Sequence, residues 1–320
     1  MRKATLIYNP LAGTLNLEPL TMLVADFWRK HGWIIDVEAT QYAGHARALA
    51  RKAALAGHEL VLAAGGDGSL GEIAGGLVDS QTIMAPLPAG TGNSFAKELM
   101  LNNRGGLLRR HALLKACEKL VEGRVQKIDL GCYNSSEHWL LWASVGVDSY
   151  VVSHIEPRSR IARRLGSIGY LGLGTPYLPR FPGMRATVKV DDQVFIGDYL
   201  MVIISNCRRY AGGKFLLSPM ASLDDGLLEV WLFKGRVGWG IYRYMAIMAL
   251  GRHLNHPDVQ MVTGREITVE TDPKMPFHRD GDPAGSVPLH CWVKPGALRL
   301  LVPQTVTESL FTQPGIPFDS

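Results

Sequence analysis

Short apolar runs alternate with helical patterns along the first 124 residues of the chain. Four of these runs are typical of buried strands, and they cover residues 4–8, 33–38, 60–63 and 83–86. Apolar positions at helical spacing predict helices over 17–31, 44–56, 70–78, 94–101 and 106–122. Strands that alternate with helices predict a parallel sheet covered by helices on both faces. Residues 1–124 are therefore predicted to form an α/β domain.

From residue 125 the pattern changes to short β-rich runs, at 125–130, 139–145, 185–190, 193–196, 199–205, 227–233, 266–271, 289–293 and 298–302. Helical stretches at 161–169 and 239–253 interrupt them, and Asp191 with Asp192 is typical of a hairpin corner. This spacing predicts an all-β sandwich over residues 125–303. The tail, 304–320, contains proline and is expected to be loosely ordered at its end.

Composition narrows the class of protein. The chain has 320 residues, of which 47% are hydrophobic and 20% charged, so it is globular and long enough for two domains. The first residues lack the pattern of a signal peptide, and no apolar run reaches the ~20 residues of a spanning helix. Four scattered cysteines predict reduced thiols rather than a zinc site or disulfides. We therefore expect a cytoplasmic protein.

Three glycine-containing loops follow predicted strands, at 9–13, 65–69 and 87–94. Because the carboxyl ends of parallel strands share one edge of a sheet, the loops are expected to converge there. Glycine lets the backbone approach a polyphosphate, and the N-terminus of the next helix supplies N–H groups. A single acid in such a loop, Asp67, suits Mg²⁺. One glycine turn alone is more often a tight connection, so the prediction depends on all three together.

Other phosphate-binding and catalytic patterns are absent from the sequence. There is no GxxxxGK[ST] motif, and Gly65-Gly66-Asp67-Gly68 does not satisfy GxGxxG. A Walker-type protein and a Rossmann dehydrogenase are therefore not expected. The histidines form no metal-binding pattern, and no Ser/His/Asp hydrolase signature is present.

An ordered set of motifs resembles the diacylglycerol kinase catalytic-domain family, which includes bacterial soluble lipid kinases, is related to sphingosine and ceramide kinases, and is more distantly related to NAD kinase. The motifs are Asn9-Pro10 with Gly13, Gly65-Gly66-Asp67-Gly68-Ser69, Gly90-Thr91 with Asn93, Asp129-Leu130-Gly131, Asp224-Asp225-Gly226 and Asp280-Gly281-Asp282. The resemblance covers residues 9–302. It implies an ATP-binding domain, a β-sandwich for the lipid, and transfer of the ATP γ-phosphate to a lipid hydroxyl in the cleft between them.

The resemblance also implies roles for individual residues. The positions that would bind ATP are Asn9, Pro10, Leu11, Ala12, Gly13, Thr40, Gly65, Gly66, Asp67, Gly68, Ser69, Leu70, Gly71 and Thr91. Asp67 would act on the catalytic Mg²⁺, or would only cap the following helix. Glu72 would face the same site, or would only stabilise the start of its helix.

Two further acids have implied roles in the second part of the chain. Asp280 would be the general base that takes the proton of the lipid hydroxyl, although Asp-Gly is also a common turn. Asp225 would hold a second metal, Mg²⁺ or Ca²⁺, with main-chain oxygens of Ser222 and Leu227; a turn before a strand is the alternative. The chain departs from the family pattern at Asp282, where Glu is usual, and at Ser94, where Asp is frequent.

A basic and apolar stretch, 157–185, has no acid between Pro157 and Arg185. It predicts either peripheral contact with an anionic membrane, at the inner face, or a solvated loop with a buried apolar side. The net charge of +5 and the pI of about 9.0 fit a membrane surface or a polyanionic ligand. The partners expected are a lipid substrate, the membrane and a second copy in a homodimer, but no nucleic acid.

Two other functions stay open on sequence alone. One is a kinase for a soluble substrate, similar to NAD kinase or phosphofructokinase, because both resemble Gly-Gly-Asp-Gly locally. The other is a catalytically inactive regulator that binds lipid or nucleotide. The later motifs through Asp282 argue against the first, and the presence of both Asp67 and Asp280 argues against the second.

Overall fold

Alternating strands and helices build the first part of the chain in the computed structural model, which describes residues 2–13, 17–101, 109–134, 137–155 and 172–319. The elements are β1 Arg2–Tyr8, α1 Glu18–Lys30, β2 Trp33–Ala39, α2 His45–Leu55, β3 Leu60–Gly65, α3 Asp67–Leu77, β4 Ile83–Pro88, α4 Ser94–Glu98 and α5 Arg109–Val121. The predicted α/β fold is confirmed.

The strand order β4-β3-β1-β2 is parallel throughout. All six residues of β3 are buried, as expected for a central strand with both faces covered. Helix α1 buries Thr21, Val24, Ala25 and Trp28, which lie on one face at helical spacing. Helix α1 packs against α5, and α2 packs against α3. The parallel order brings the carboxyl ends of β1, β3 and β4 to one edge.

The second part of the chain is predominantly antiparallel β-structure. Its elements are β5 Arg124–Tyr133, β6 Glu137–Trp139, β7 Trp142–Gly146, α6 Val147–Ile155, β8 Arg185–Val190, β9 Gln193–Ser205, β10 Arg209–Tyr210, β11 Phe215–Leu216, β12 Leu228–Lys234, α7 Gly240–Ala249, β13 Val259–Gly264, β14 Glu266–Asp272, β15 Pro276–Arg279, β16 Asp282–Ser286, β17 Leu289–Val302 and β18 Ile316–Pro317. Short 3-10 turns cover Thr175–Arg180, Arg252–Asn255 and Glu308–Leu310.

Strand β9 links the two layers of the sandwich. Its first half pairs with β8, whereas its second half pairs with β7 and β12. A strand that changes sheets in this way forms a corner of a β-sandwich. The predicted hairpin is present, because β8 and β9 are antiparallel and Asp191 between them has φ of 49°. The predicted sandwich is confirmed.

Several elements differ from the sequence-based prediction. The runs at 193–196 and 199–205 are one strand, β9, and those at 289–293 and 298–302 are one strand, β17. Helix α6 was not predicted, since its nine residues follow β7 without a break. The predicted helix at 161–169 lies outside the described residues, as does all of the basic stretch before residue 172.

The chain forms two compact units. The first contains residues 1–130, 222–225 and 295–320, and the second contains 131–221 and 226–294. The boundaries predicted at 124 and 303 differ from this division, in which the chain returns to the first unit at 222–225 and again at 295–320. The difference arises because β17 crosses from the second unit into the first, where its residues Arg299 and Leu300 pair with β4.

The C-terminal tail is ordered, contrary to the expectation from its proline content. Strand β18 pairs with β5, and Phe318 is buried. The Phe318 ring stacks on Trp33 at a centroid distance of 5.9 Å and meets Trp28 edge-on at 6.4 Å. Aromatic burial therefore holds the end of the chain against the first unit.

The four cysteines are buried thiols. Across the described ranges, no helix is long and apolar enough to cross a membrane.

Candidate functional site

Three loops meet at the carboxyl edge of the parallel sheet. The backbone N–H of Asn9 donates to Ala64 O at 3.2 Å, and the Asn9 side-chain amide donates to Ser69 Oγ at 3.3 Å. The N–H of Gly90 donates to Gly65 O at 3.0 Å. These bonds join the loop after β1 to the loop after β3, and the loop after β3 to the loop after β4.

Glycine is required where two of these loops touch. A Cβ atom on Gly90 would collide with the Cα atom of Gly66, and a Cβ on Gly65 would lie 2.5 Å from the Ser69 Cβ. Gly65 and Gly90 are buried, so the lack of a side chain at these positions lets the loops pack closely, while Gly66 and Gly68 are half-buried and present main chain to the outside. A main-chain surface of this kind suits phosphate oxygens.

Helix α3 begins at Asp67, three residues earlier than predicted. No side chain caps its first turn, so its leading N–H groups can serve a ligand. Leu70 is fully buried, Gly71 is buried as well, and the Leu70 N–H donates to Gly66 O within the helix. The exposed part of the predicted phosphate loop thus ends at Ser69.

The Asp67 carboxylate holds the start of α4 rather than the start of its own helix. It accepts hydrogen bonds from Ser94 N at 3.0 Å and Phe95 N at 3.2 Å. Burial raises the pKa of Asp67, while these two backbone bonds act in the opposite direction. The alternative prediction, that Asp67 caps the helix directly after it, is therefore wrong: the helix that it holds is α4. Each carboxylate oxygen keeps a lone pair that these bonds do not use.

Glu72 has a role that neither sequence-based alternative described. Its carboxylate accepts hydrogen bonds from Gly44 N at 2.8 Å and Ala46 N at 3.2 Å. Gly44 directly precedes α2, and Ala46 lies in its first turn. No side chain of the residue before the helix caps these N–H groups. Glu72 therefore caps the neighbouring helix across the α2–α3 contact.

The remaining predicted nucleotide positions lie around the same edge. The Leu11 N–H donates to Asn9 Oδ1 at 2.9 Å and the Ala12 N–H to Asn9 O at 3.0 Å, which forms a tight turn. Thr40 follows β2, and its N–H donates to Tyr8 O at 2.9 Å. Pro10, Leu11 and Thr91 are exposed.

Asp280 lies in the second unit, in the turn between β15 and β16, with φ of 48°. Its buried carboxylate accepts three backbone hydrogen bonds, from Leu140 N at 2.9 Å, Leu141 N at 2.8 Å and Trp142 N at 3.3 Å. Burial raises the pKa of Asp280 to about 6, and the three N–H donors limit that rise by favouring the ionised form. A carboxylate with this pKa is suited to accept a proton near neutral pH.

A buried polar cluster that the sequence did not reveal lies at β15, the strand directly before Asp280. The Asp148 carboxylate accepts hydrogen bonds from Tyr210 Oη at 2.7 Å and Ser149 N at 2.8 Å, and lies 3.2 Å from His278 Nε2. Burial alone would raise the pKa of Asp148, but the bond and charge of His278, together with the Ser144 and Tyr210 side chains, outweigh it, and the pKa is lowered. Asp148 is ionised, so His278 Nε2 carries a hydrogen toward it.

His278 precedes Asp280 by two residues at the end of β15, so the cluster anchors the strand from which Asp280 extends. The two partners are 130 positions apart in the sequence, which explains why no local pattern indicated this pair. We refer to Asp148, Tyr210 and His278 as the anchor cluster.

The predicted second metal loop uses its other aspartate to hold the tail. Asp224 accepts hydrogen bonds from Thr312 N at 2.6 Å, Gln313 N at 3.1 Å and Ser222 Oγ at 3.1 Å. Asp225 is half-buried beside it. Among the described residues, no three His, Cys, Asp or Glu side chains form a metal-binding group. The predicted second metal site would use one side chain, that of Asp225, and main-chain oxygens, so it does not depend on a group of three such side chains.

Comparison with known proteins gives two family matches. Residues 3–133 match the family model described as the diacylglycerol kinase catalytic domain. Residues 142–302, half of the chain, match the model described as the YegS C-terminal NAD kinase beta sandwich-like domain.

Proteins with sequences similar to this chain are named diacylglycerol kinase. The chain is 28% identical over 291 residues to a diacylglycerol kinase of Bacillus subtilis, which covers 90% of this chain and 92% of that protein. It is 27% identical over 289 residues to a diacylglycerol kinase of Staphylococcus carnosus, with 90% of each chain covered. A crystal structure of a diacylglycerol kinase from Bacillus anthracis shares the fold, with a TM-score of 0.65 at 20% identity, covering 96% of this chain and 98% of that one.

Proposed function

The chain belongs to the diacylglycerol kinase family, and on this premise we propose that it transfers the γ-phosphate of ATP to the hydroxyl of a membrane lipid. The family is one of lipid kinases. The proposed acceptor is diacylglycerol, because the similar proteins of B. subtilis and S. carnosus carry that name. A sphingoid lipid is the second candidate acceptor.

The observation that carries the proposal is the buried carboxylate of Asp280, whose pKa is raised to about 6. At neutral pH it is ionised, so it can accept a proton when a lipid hydroxyl attacks phosphorus. The O–H bond then breaks toward Asp280 as the new O–P bond forms and ADP leaves. The three N–H donors from 140–142 keep the carboxylate in one orientation for this step.

The joined glycine loops are proposed to hold the phosphates of ATP. Their half-buried glycines Gly66 and Gly68 present main chain, and the uncapped first turn of α3 adds N–H groups to it. Both features favour an anion without needing a lysine. Asn9, Thr40 and Thr91 border this surface and are proposed to contact the rest of the nucleotide.

The donor set of the chain fits Mg²⁺. Asp67 supplies a carboxylate beside the proposed phosphate surface, and Asp225 would hold a second ion together with main-chain oxygens of Ser222 and Leu227. These are hard oxygen ligands, which Mg²⁺ and Ca²⁺ both accept. When bound, Mg²⁺ neutralises phosphate charge that would otherwise repel the attacking oxygen.

A phosphotransfer assay tests the proposal. The protein is incubated with γ-labelled ATP and Mg²⁺, either with mixed micelles of diacylglycerol, monoacylglycerol, sphingosine or phosphatidylglycerol or, in parallel, with NAD or a sugar. We expect label in diacylglycerol. Label only in NAD or a sugar would replace the proposal with a soluble-substrate kinase, and nucleotide binding without transfer would replace it with a regulator.

A further inference from the structure

Helix α7 is apolar on its outward side as well as on its buried side. Its buried residues are Tyr244 and Met248, and its ten residues include a single charge, Arg243. Trp239, Tyr242, Ala246 and Leu250 lie on the opposite side at spacings of three and four residues. Trp239 is 47% and Leu250 66% exposed. An outward face of this kind is unusual, because the solvent side of a surface helix is normally polar.

Apolar exposure continues beyond both ends of the helix. Val237 before it and Leu254 after it are 66% and 47% exposed, and Leu216 of β11, which packs against α7, is 45% exposed. We define the α7 surface as Leu216, Val237, Trp239, Tyr242, Leu250 and Leu254. Tyr242 is half-buried, and the other five side chains are exposed and lie at the two ends of the helix or beside it. A group of exposed apolar side chains of this kind marks a surface that binds a partner.

The charges beside the α7 surface are basic. No acidic residue occurs between Glu229 and Asp258, whereas Lys234, Arg236, Arg243 and Arg252 all fall in that range. Arg243 pairs with Asp258 at 2.8 Å and Arg236 with Asp198 at 3.9 Å. Both pairs are partly exposed, so solvent screens them, and the two arginines still contribute to the potential of the surface.

We propose that the α7 surface docks the protein on an anionic lipid bilayer. Trp239 and Tyr242 are amphipathic rings of the type that lies at the level of lipid headgroups, and the neighbouring basic side chains complement anionic lipids. The inference rests on the proposed function, since a kinase whose acceptor lies in a bilayer has to reach that bilayer. A second copy fits less well, because a two-fold interface would bring the same basic side chains together.

The described end of the basic stretch lies beside this surface. Thr175 Oγ1 and Tyr242 Oη are 2.6 Å apart, and Leu173 is 43% exposed. The segment that the sequence suggested for membrane contact therefore reaches the N-terminal half of α7. Residues 172–175 extend the proposed docking surface.

Vesicle sedimentation without ATP tests the proposal separately from catalysis. Wild-type protein, the double variant Trp239→Ser/Leu250→Ser and the control Leu55→Ser are compared on phosphatidylcholine vesicles with and without phosphatidylglycerol. Leu55 is 81% exposed and lies in the first unit, so its replacement removes comparable apolar surface elsewhere. We expect the double variant to bind mixed vesicles about tenfold more weakly or worse, and the control to bind like wild type.

Circular dichroism checks whether the double variant is folded. If it is not, the single variant Leu250→Ser is used in its place. Phosphorylation of a short-chain, monomeric diacylglycerol should be unchanged in the variant, while that of the vesicle-embedded lipid should fall. Unchanged vesicle binding by the variant would overturn the proposal. A wild-type dimer that becomes monomeric in the variant, in sedimentation equilibrium, would overturn it in favour of an interface between copies. Loss of vesicle binding would support docking even if no lipid were phosphorylated.

Discussion

At the scale of single residues, the environment of Asp280 decides what its carboxylate can do. In the sequence, Asp280-Gly281 is also the pattern of an ordinary turn. In the fold, the carboxylate is buried and accepts hydrogen bonds from three N–H groups. Burial and hydrogen bonding act on the pKa in opposite directions, and burial prevails. The result is a carboxylate that is ionised at neutral pH yet still a competent proton acceptor.

Replacing Asp280 by Asn tests the proposed base. The amide has nearly the same shape but cannot take the proton, so kcat should fall by about 10²–10⁴-fold with little change in KM. One N–H donor would also face the amide NH₂, which should cost about 1–3 kcal/mol of stability. Kinetics and thermal unfolding measure both effects. The control Asp192→Asn, in the exposed hairpin corner, should change neither, and a fully active Asp280→Asn would refute the role.

The raised pKa of Asp280 also predicts opposite pH effects on activity and stability. The value of kcat/KM should rise with pH through about 6 as the carboxylate ionises. Between the ordinary pKa of 3.8 and the folded value of about 6, the folded state binds more protons than the unfolded state. The free energy of unfolding should therefore fall as pH rises through this window. Asp280→Asn should remove both slopes, and slopes that persist in the variant would assign them to another group.

At the scale of elements, side chains from one segment hold the ends of another. Asp67 at the start of α3 holds the start of α4, and Glu72 holds the start of α2. Asp148, at the start of α6, holds His278 of β15. Each link places a carboxylate on N–H groups or a histidine of a distant segment, and thereby positions the loops of the candidate site.

Breaking the anchor cluster should loosen β15. Asp148→Asn removes a buried charge that His278 faces, and we expect a loss of about 3 kcal/mol in urea unfolding at pH 7. Because the pKa of Asp148 is lowered, its contribution should be present above its ordinary value of 3.8 and lost as pH falls through the lower folded value. The control is Asp26→Asn, which breaks an exposed pair with Arg29 and should cost at most about 0.5 kcal/mol.

The same variant should lower kcat more than it raises KM, because Asp280 directly follows β15. Equal urea midpoints for Asp148→Asn and wild type would show that the cluster is not an anchor.

At the scale of the whole molecule, the chain returns to its first unit after completing the second. Residues 295–320 belong to the first unit, where β17 pairs with β4 and Phe318 packs on Trp33. Asp224, in the short segment 222–225, holds Thr312 and Gln313 of the same tail. The stability of the first unit therefore depends on residues from both ends of the chain.

Replacing Phe318 by Ala tests this dependence. The substitution removes a buried ring and should cost about 3–5 kcal/mol in thermal or urea unfolding. The neighbouring Ile316 is 64% exposed, so Ile316→Ala should cost only about 0.5 kcal/mol and serves as the matched control. Equal effects of the two substitutions would mean that the tail is not part of the first unit.

The sequence by itself determined the parallel α/β unit, the sandwich, the glycine loops and the family, because periodicity and turn residues are local properties of a chain. It also located Asp67 and Asp280 by their motifs. Only the tertiary structure decided that Asp67 holds α4 and that Glu72 caps α2. It also decided that the N–H groups of 140–142 donate to Asp280, that Asp148 meets His278 and that the tail packs on Trp33. These contacts join residues 26 or more positions apart, and such partners are chosen by folding rather than by local pattern.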